Sequence, residues 1–276
     1  MEKVQNKLQG WKSKILSQAA KTVFIRAVAS SILSYVMSST LVPKAITKNL
    51  DSLFRRFWWG FEDRKKKKFT PKSWNSISIP KSLGGLGIRT MSSFNSALVL
   101  KNVWSLLNGP NSLWKEVISK KYLGSKTFFE AAPKVSDSRF WKSLLKQREF
   151  LRSSACYQIN NGSSTKVWTG PWIPTIHNFI PDPNPENNLD PNLNMTVSEL
   201  ILEEPRRWNV LLFNTLFSDH SSREIQKISL ANHNFQTVQD KINWIYHSFE
   251  KFLVKLAYAA LVKDNNPPNP NNQTLN

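Results

Sequence analysis

Apolar residues in the first sixty positions recur at helical intervals, punctuated by one proline and one glycine. Val4, Leu8, Trp11 and Ile15 fall at three- and four-residue steps, which is one stripe of an amphipathic helix. Lys3, Lys7, Lys12 and Lys14 lie off that stripe. Thr22 to Val42 is largely apolar, with Arg26 its only charge. Its length would suit a membrane span, but Arg26 and the many Ser and Thr residues favour a buried helix. Pro43 breaks the run and can open a third helix, whose stripe is Ile46, Leu50, Leu53, Phe54 and Phe57. Gly60 is placed to end it. The spacing therefore predicts three consecutive helices.

Charge restricts the partner. Residues 1–152 carry 29 Lys and Arg against 8 Asp and Glu, a net +21, whereas residues 153–276 carry 9 against 11, a net −2. No acidic residue occurs between Lys3 and Lys48. Such a field favours a polyanion, because each phosphate contact releases a condensed counterion. A solvated basic surface is the plainer alternative, and mitochondrial transit peptides share the basic, acid-poor character. Arg64-Lys65-Lys66-Lys67-Lys68 reads as a solvated loop of mutually repelling cations, suited to phosphate contact or nuclear import. Trp58, Trp59, Phe61, Phe69 and Trp74 flank it. Interleaved cations and rings suit nucleic acid, with cations on phosphates and rings on bases. Core burial is the preferred reading for Trp58 and Trp74, and Trp59 is open between core and stacking.

Gly84-Gly85-Leu86-Gly87 lacks the spacing and the Gly-Lys-Ser/Thr ending of a phosphate-binding loop. It reads as a sharp turn needing positive φ, leading to a helix from Ser92 or Ser93 to Leu107, with either serine as N-cap. Beyond Asp137 a helix carries Phe140, Trp141, Leu144, Leu145 and Leu151. Asn160-Asn161-Gly162, between Ile159 and Val167-Trp168, predicts a hairpin. Pro181 to Asn194 is rich in Pro, Asn and Asp and reads as a linker. Short helices are expected over Val197 to Leu202 and Trp208 to Phe217.

Catalytic chemistry finds little to work with. A two-metal polymerase site needs paired aspartates holding ions about 3.5–4 Å apart, and no Tyr/Phe-x-Asp-Asp occurs. Asp137, Asp182, Asp190, Asp219, Asp240 and Asp264 are dispersed. The single Cys, Cys156, excludes a disulfide framework. With His177, His220, His233 and His247 scattered, no pair has zinc-site spacing. No Ser-His-Asp or Cys-His nucleophile has motif context. The expectation is no autonomous catalysis, no cofactor and no metal.

Ile79-Pro80-Lys81-Ser82-Leu83-Gly84-Gly85-Leu86-Gly87-Ile88-Arg89, running on through Phe94-Asn95-Ser96-Ala97-Leu98-Val99-Leu100-Lys101-Asn102-Val103-Trp104, resembles a segment of plant non-LTR (LINE-type) retrotransposon reverse transcriptases. In that family the segment lies downstream of the catalytic palm. Leu8-Gln9-Gly10-Trp11-Lys12, Tyr35-Val36-Met37-Ser38 with Pro43-Lys44, and Phe57-Trp58-Trp59-Gly60 with Trp74-Asn75 resemble further family segments. So do Leu113-Trp114-Lys115-Glu116-Val117-Ile118 with Lys121-Tyr122, and Ile159-Asn160-Asn161-Gly162 with Val167-Trp168-Thr169-Gly170-Pro171-Trp172-Ile173-Pro174. They stand in the family's order. Ala20, Asn160 and Ser78 depart from it, where the family has Gly, Gly and Cys. Asp240-Lys241-Ile242-Asn243-Trp244 and Val254-Lys255-Leu256-Ala257-Tyr258 resemble the start of the family's zinc-binding module, whose Cys/His part is not reached.

The resemblance implies a thumb, a helical bundle gripping the primer–template duplex, without its palm. The expected fold is mainly α: a helical thumb-like bundle followed by a smaller α+β region with a short hairpin. The bundle is placed at 1–60, and the basic loop, Gly-rich turn and connection helices at 61–135. Helix plus hairpin follow at 136–180, a linker at 181–195, a small helical region with the truncated zinc-module start at 196–263, and a disordered tail at 264–276. Expected nucleic-acid contacts are Lys12, Lys14, Lys21, Arg55, Arg56, Trp59, Arg64, Lys65, Lys66, Lys67 and Lys68. The partner would be RNA or DNA (an RNA–DNA duplex in the parent enzyme), with no membrane and no metal, and by analogy the location would be the nucleus. The alternatives are a truncated relic without molecular function, and a protein-interaction module built on Trp141, Trp168, Trp172, Trp208 and Trp244.

Overall fold

A computed structural model describes residues 2–10, 16–60, 70–187, 190–230, 238–246 and 252–265. Twelve α-helices among them are α1 (Glu2–Gly10), α2 (Gln18–Phe24), α3 (Ser30–Ser39), α4 (Lys44–Trp59), α5 (Trp74–Ile77), α6 (Met91–Asn108), α7 (Leu113–Ile118), α8 (Arg139–Leu145), α9 (Arg148–Arg152), α10 (Val210–Leu216), α11 (Asp219–Gln226) and α12 (Val254–Asn265). Four short strands are β1 (Ala155–Gln158), β2 (Ile201–Glu203), β3 (Arg206–Trp208) and β4 (Lys241–Trp244). The protein is mainly α with a small α+β region. It divides into two compact units: Met1–Val103, Ser136–Leu144 and Leu253–Asn276 form the first, Trp104–Val135 and Leu145–Phe252 the second.

In unit 1, α1 buries Val4 and Leu8 as its spacing predicts. A π-helical turn, Ile25–Ala29, joins α2 to α3, and the Ser30 hydroxyl donates to the Ile25 carbonyl at 2.8 Å. Among the described residues Gln18–Ser39 is the one stretch long and apolar enough to cross a membrane. It is not the buried helix that its composition suggests. Phe24, Ile25 and Met37 face the core, while Val23, Tyr35 and Val36 are exposed. Pro43 does precede α4, Leu50, Phe54 and Phe57 are its buried stripe, and Gly60 ends it at φ 71°. That left-handed conformation carries no Cβ penalty in glycine.

Long-range side-chain bonds close the ends of these helices. The buried Asn95 amide accepts from the Val42 N–H at 2.7 Å and donates to the Met37 and Thr40 carbonyls at 2.7 and 2.9 Å. Ser143 accepts from the Leu41 N–H at 2.9 Å. Helix α6 begins at Met91, one residue before the serines expected to cap it. Its first N–H instead donates to Asp51 of α4 at 3.0 Å, a cap that local spacing cannot show. From α12, the Tyr258 hydroxyl donates to the Ser78 carbonyl at 2.8 Å and accepts from the Thr90 N–H at 3.0 Å.

Unit 2 pairs β1 with β4 antiparallel, Ala155 opposite Trp244 and Gln158 opposite Lys241. The predicted hairpin at Asn160-Asn161-Gly162 therefore does not form. Asp240 takes the place of a hairpin partner: its carboxylate accepts from the Asn160 and Gly162 N–H groups at 2.8 and 2.9 Å and from the Ser164 and Thr165 hydroxyls at 3.1 and 2.7 Å. The hairpin that does form is β2–β3, across Glu204-Pro205. Val197–Leu200 is a 3-10 turn with a Thr196/Glu199 capping box, and β2 follows where helix was expected to continue. Residues 181–187 are fastened rather than free to act as a spacer. The Asn184 and Asn187 amides donate to the Asn214 and Thr215 carbonyls at 2.8 and 2.6 Å, capping the end of α10. Trp172, Trp208, Phe213 and Phe217 fill the core beside them. Burial of Cys156 pushes its thiol up to about 12.

Asp51 makes the fold sensitive to pH. Burial raises its carboxyl from 3.8 to about 6 against the opposing hydrogen bond from Met91. A pKa higher in the folded chain means that Asp51 contributes its full stability below the unfolded value and loses it as pH rises through the folded one. At about 1.4 kcal/mol per pH unit the loss is on the order of 3 kcal/mol. Asp51→Asn keeps an acceptor for Met91 and should flatten urea stability between pH 4 and 6. An unchanged slope would contradict this origin.

Candidate nucleic-acid interface

Partition into units leaves the charge uneven, though less so than division at residue 152. Unit 1 holds 23 Lys and Arg against 6 Asp and Glu, a net +17, and unit 2 holds 15 against 13, a net +2. The apolar stripe of α4 turns Leu50, Phe54, Phe57 and Trp58 inward, so Arg55 is left exposed and Arg56 half-buried. No carboxylate among the described residues pairs with either.

Trp58 and Trp74 are core, each 8% exposed, and the Trp58 indole N–H donates to the Thr22 hydroxyl at 2.9 Å. Trp59 packs edge-on against Trp58 with ring centroids 4.6 Å apart. It is half-buried, with its indole N–H partnerless among the described residues. Lys21 is only 7% exposed. Its ammonium lies against the end of α4, where a Cβ placed on Gly60 would sit 3.5 Å from Nζ. The negative end of the helix dipole favours a cation there. Lys12, Lys14, Arg64, Lys65, Lys66, Lys67 and Lys68 lie outside the described residues.

The Gly-rich turn is no phosphate cradle. Gly84 and Gly87 have φ of 83° and 67°. A Cβ on Gly85 would meet the Ile79 carbonyl oxygen at 2.1 Å. The N–H groups of Gly85, Leu86 and Gly87 donate to the Pro80, Ile77 and Ile79 carbonyls at 3.1, 3.0 and 3.0 Å, so they are already committed. What the turn does is present cations. Lys81 and Arg89 leave it exposed, and Arg26, which the sequence offers chiefly as an argument against a membrane span, is exposed on the adjoining π-helical turn. Motif spacing cannot reveal this group because Arg26 lies 55 and 63 residues from Lys81 and Arg89.

The tryptophans proposed for protein interaction are mostly interior. Trp141, Trp172, Trp208 and Trp244 are 8% exposed or less. Among the described residues no three of His, Cys, Asp and Glu come together as a metal-binding group.

Comparison with known proteins places the chain. It is 30% identical over 274 residues to a protein of Arabidopsis thaliana named "Putative ribonuclease H protein", spanning 98% of this chain and 43% of that relative's length. A 140-residue segment is 30% identical to an uncharacterized mitochondrial protein of Arabidopsis thaliana, covering 50% of this chain and 90% of that protein. No family model and no solved structure matches.

Lys21 and Arg55 should separate by thermal unfolding. Lys21→Gln removes a buried cation from a helix end and should cost about 0.5–1 kcal/mol. Arg55→Gln, at an exposed position, should stay within about 0.5 kcal/mol of the parent. The reverse order would contradict these placements.

Proposed function

This chain belongs to the same family as the two Arabidopsis proteins, and from that premise we propose that it is a nucleic-acid-binding segment of a plant LINE-type retroelement reverse transcriptase. The observation that carries the reading is the net +17 of unit 1, with exposed cations that have no carboxylate partner among the described residues. A surface of that kind binds a phosphate backbone with little regard to sequence, and the binding is driven by counterion release. In the parent enzyme it would hold the RNA template and DNA primer while a separate palm performs the chemistry. The segment is proposed to grip and not to catalyse. Arg55, Arg56 and Arg64 to Lys68 are proposed phosphate contacts, and half-buried Trp59 is the aromatic candidate for stacking on a base. The proposed place of action is the nucleus. The name of the mitochondrial relative makes that organelle the competing address.

The basic run supplies the test. Charge reversal of Arg64 to Lys68 should weaken binding of a 20-nucleotide RNA or RNA–DNA duplex. It should also flatten the dependence of log affinity on log salt by about one for each phosphate that is no longer neutralised. An unchanged slope would remove the run from the interface. Absence of measurable binding by the parent chain at low salt would overturn the function.

A further inference from the structure

Two arginines of unit 1 meet beside one glycine, with the stem of Lys81 against it. A cleft of about 300 Å³ is lined by Val23, Arg26, Ala27, Ser30, Gly87 and Arg89. A Cβ placed on Gly87 would lie 3.9 Å from Cζ and Nε of Arg26 and 3.3 Å from Cγ of Lys81. The glycine thus keeps open the space into which these side chains reach. Arg26 sits in the π-helical turn, a local widening that often marks functional positions in helices. Arg89 is steadied from the other side, its guanidinium 4.6 Å from the centre of the Phe94 ring.

No carboxylate among the described residues pairs with Arg26, Lys81 or Arg89. Although Arg89 is exposed overall, partial desolvation is the main influence lowering its pKa, opposed by Tyr258 and reinforced by the Arg26 charge. The two guanidiniums therefore repel each other across the cleft, and an anion between them would relieve that repulsion. The Gly87 N–H is taken by Ile79 and the Ser30 hydroxyl hydrogen by Ile25. The donors left to an anion are the planar guanidinium forks, whose geometry matches phosphate oxygens bidentately.

We propose that Arg26 and Arg89, converging across the cleft at Gly87, hold one phosphate group of a bound nucleic-acid backbone. The assignment of the phosphate to nucleic acid rests on the function proposed above, whereas the anion site itself stands on the geometry. Since both arginines serve one phosphate, they form a fixed point of register, unlike the diffuse attraction of the remaining cations.

Two readouts on the full chain separate the claims. The first is the shift in melting temperature with inorganic pyrophosphate, and the second is the salt slope of RNA binding. They are measured for the parent, for Arg26→Gln/Arg89→Gln, and for Lys44→Gln/Lys48→Gln, which removes equal charge from exposed positions of α4. The cleft pair should abolish the pyrophosphate shift, weaken RNA binding about tenfold and lower the slope by about one, with circular dichroism unchanged. The control pair should keep the pyrophosphate shift. Equal effects of the two pairs on both readouts would overturn the site and leave a diffuse basic field. A pyrophosphate shift that depends on the cleft pair in a chain that binds no RNA or DNA would support the anion site and overturn its nucleic-acid assignment.

Discussion

The hydroxyl of Tyr258 fixes the segment on which the basic face of unit 1 depends. It donates to the Ser78 carbonyl and accepts from the Thr90 N–H, clamping both ends of the turn that contains the three glycines. Between those ends the turn spends its own N–H groups internally, and Asp51 receives the first N–H of α6 just beyond it. A loop bound at both ends and cross-linked within gives Lys81 and Arg89 defined positions. Without that clamp the cations would still attract a polyanion through their net charge, but they would not converge on a point. Unpaired buried polar groups cost about 1–3 kcal/mol each, so the clamp also stabilises unit 1.

Unit 2 solves the same problem with a carboxylate. Four donors from the 160–165 loop meet at Asp240, and the Arg206 guanidinium donates to the Asn160 carbonyl at 2.6 Å from the other side. Two further arginines pin the neighbouring turn. Arg148 donates to the Ala131 carbonyl, Arg152 donates to the Phe129 carbonyl at 3.0 Å, and the two guanidiniums lie over the Phe128 and Phe129 rings. Several cations of unit 2 are thus committed to carbonyls, rings or carboxylates, Lys120 pairing with Glu116 and Arg206 with Glu203. The contrast with unit 1 lies in what the cations touch as well as in their number.

What the sequence reveals follows the range of the interaction. Helices α1 and α4 are legible because their stripes and their Pro43 and Gly60 boundaries are local signals. The positive φ of Gly84 and Gly87 is legible for the same reason. The α6 cap is not, because its acceptor, Asp51, lies 40 residues away. The Asn160-Asn161-Gly162 turn imitates a hairpin because its true partners come from Asp240 and β4. Asn184 and Asn187 have the composition of a linker, yet their amides cap α10. At the candidate site Arg55 is legible as an exposed cation, whereas the burial of Lys21 is hidden because the α4 end that covers it is distant in sequence. Arg26 and Arg89 carry no motif, and only folding brings them to one glycine.

These features make unit 1 the proposed binding surface and unit 2 a nearly neutral, internally bonded companion. Photo-crosslinking the full chain to a 4-thiouridine-substituted RNA, followed by peptide mapping, tests that division most directly. The account predicts crosslinks confined to peptides of unit 1, disappearing as salt is raised. Crosslinks concentrated in unit 2, or equally spread over both units, would contradict it.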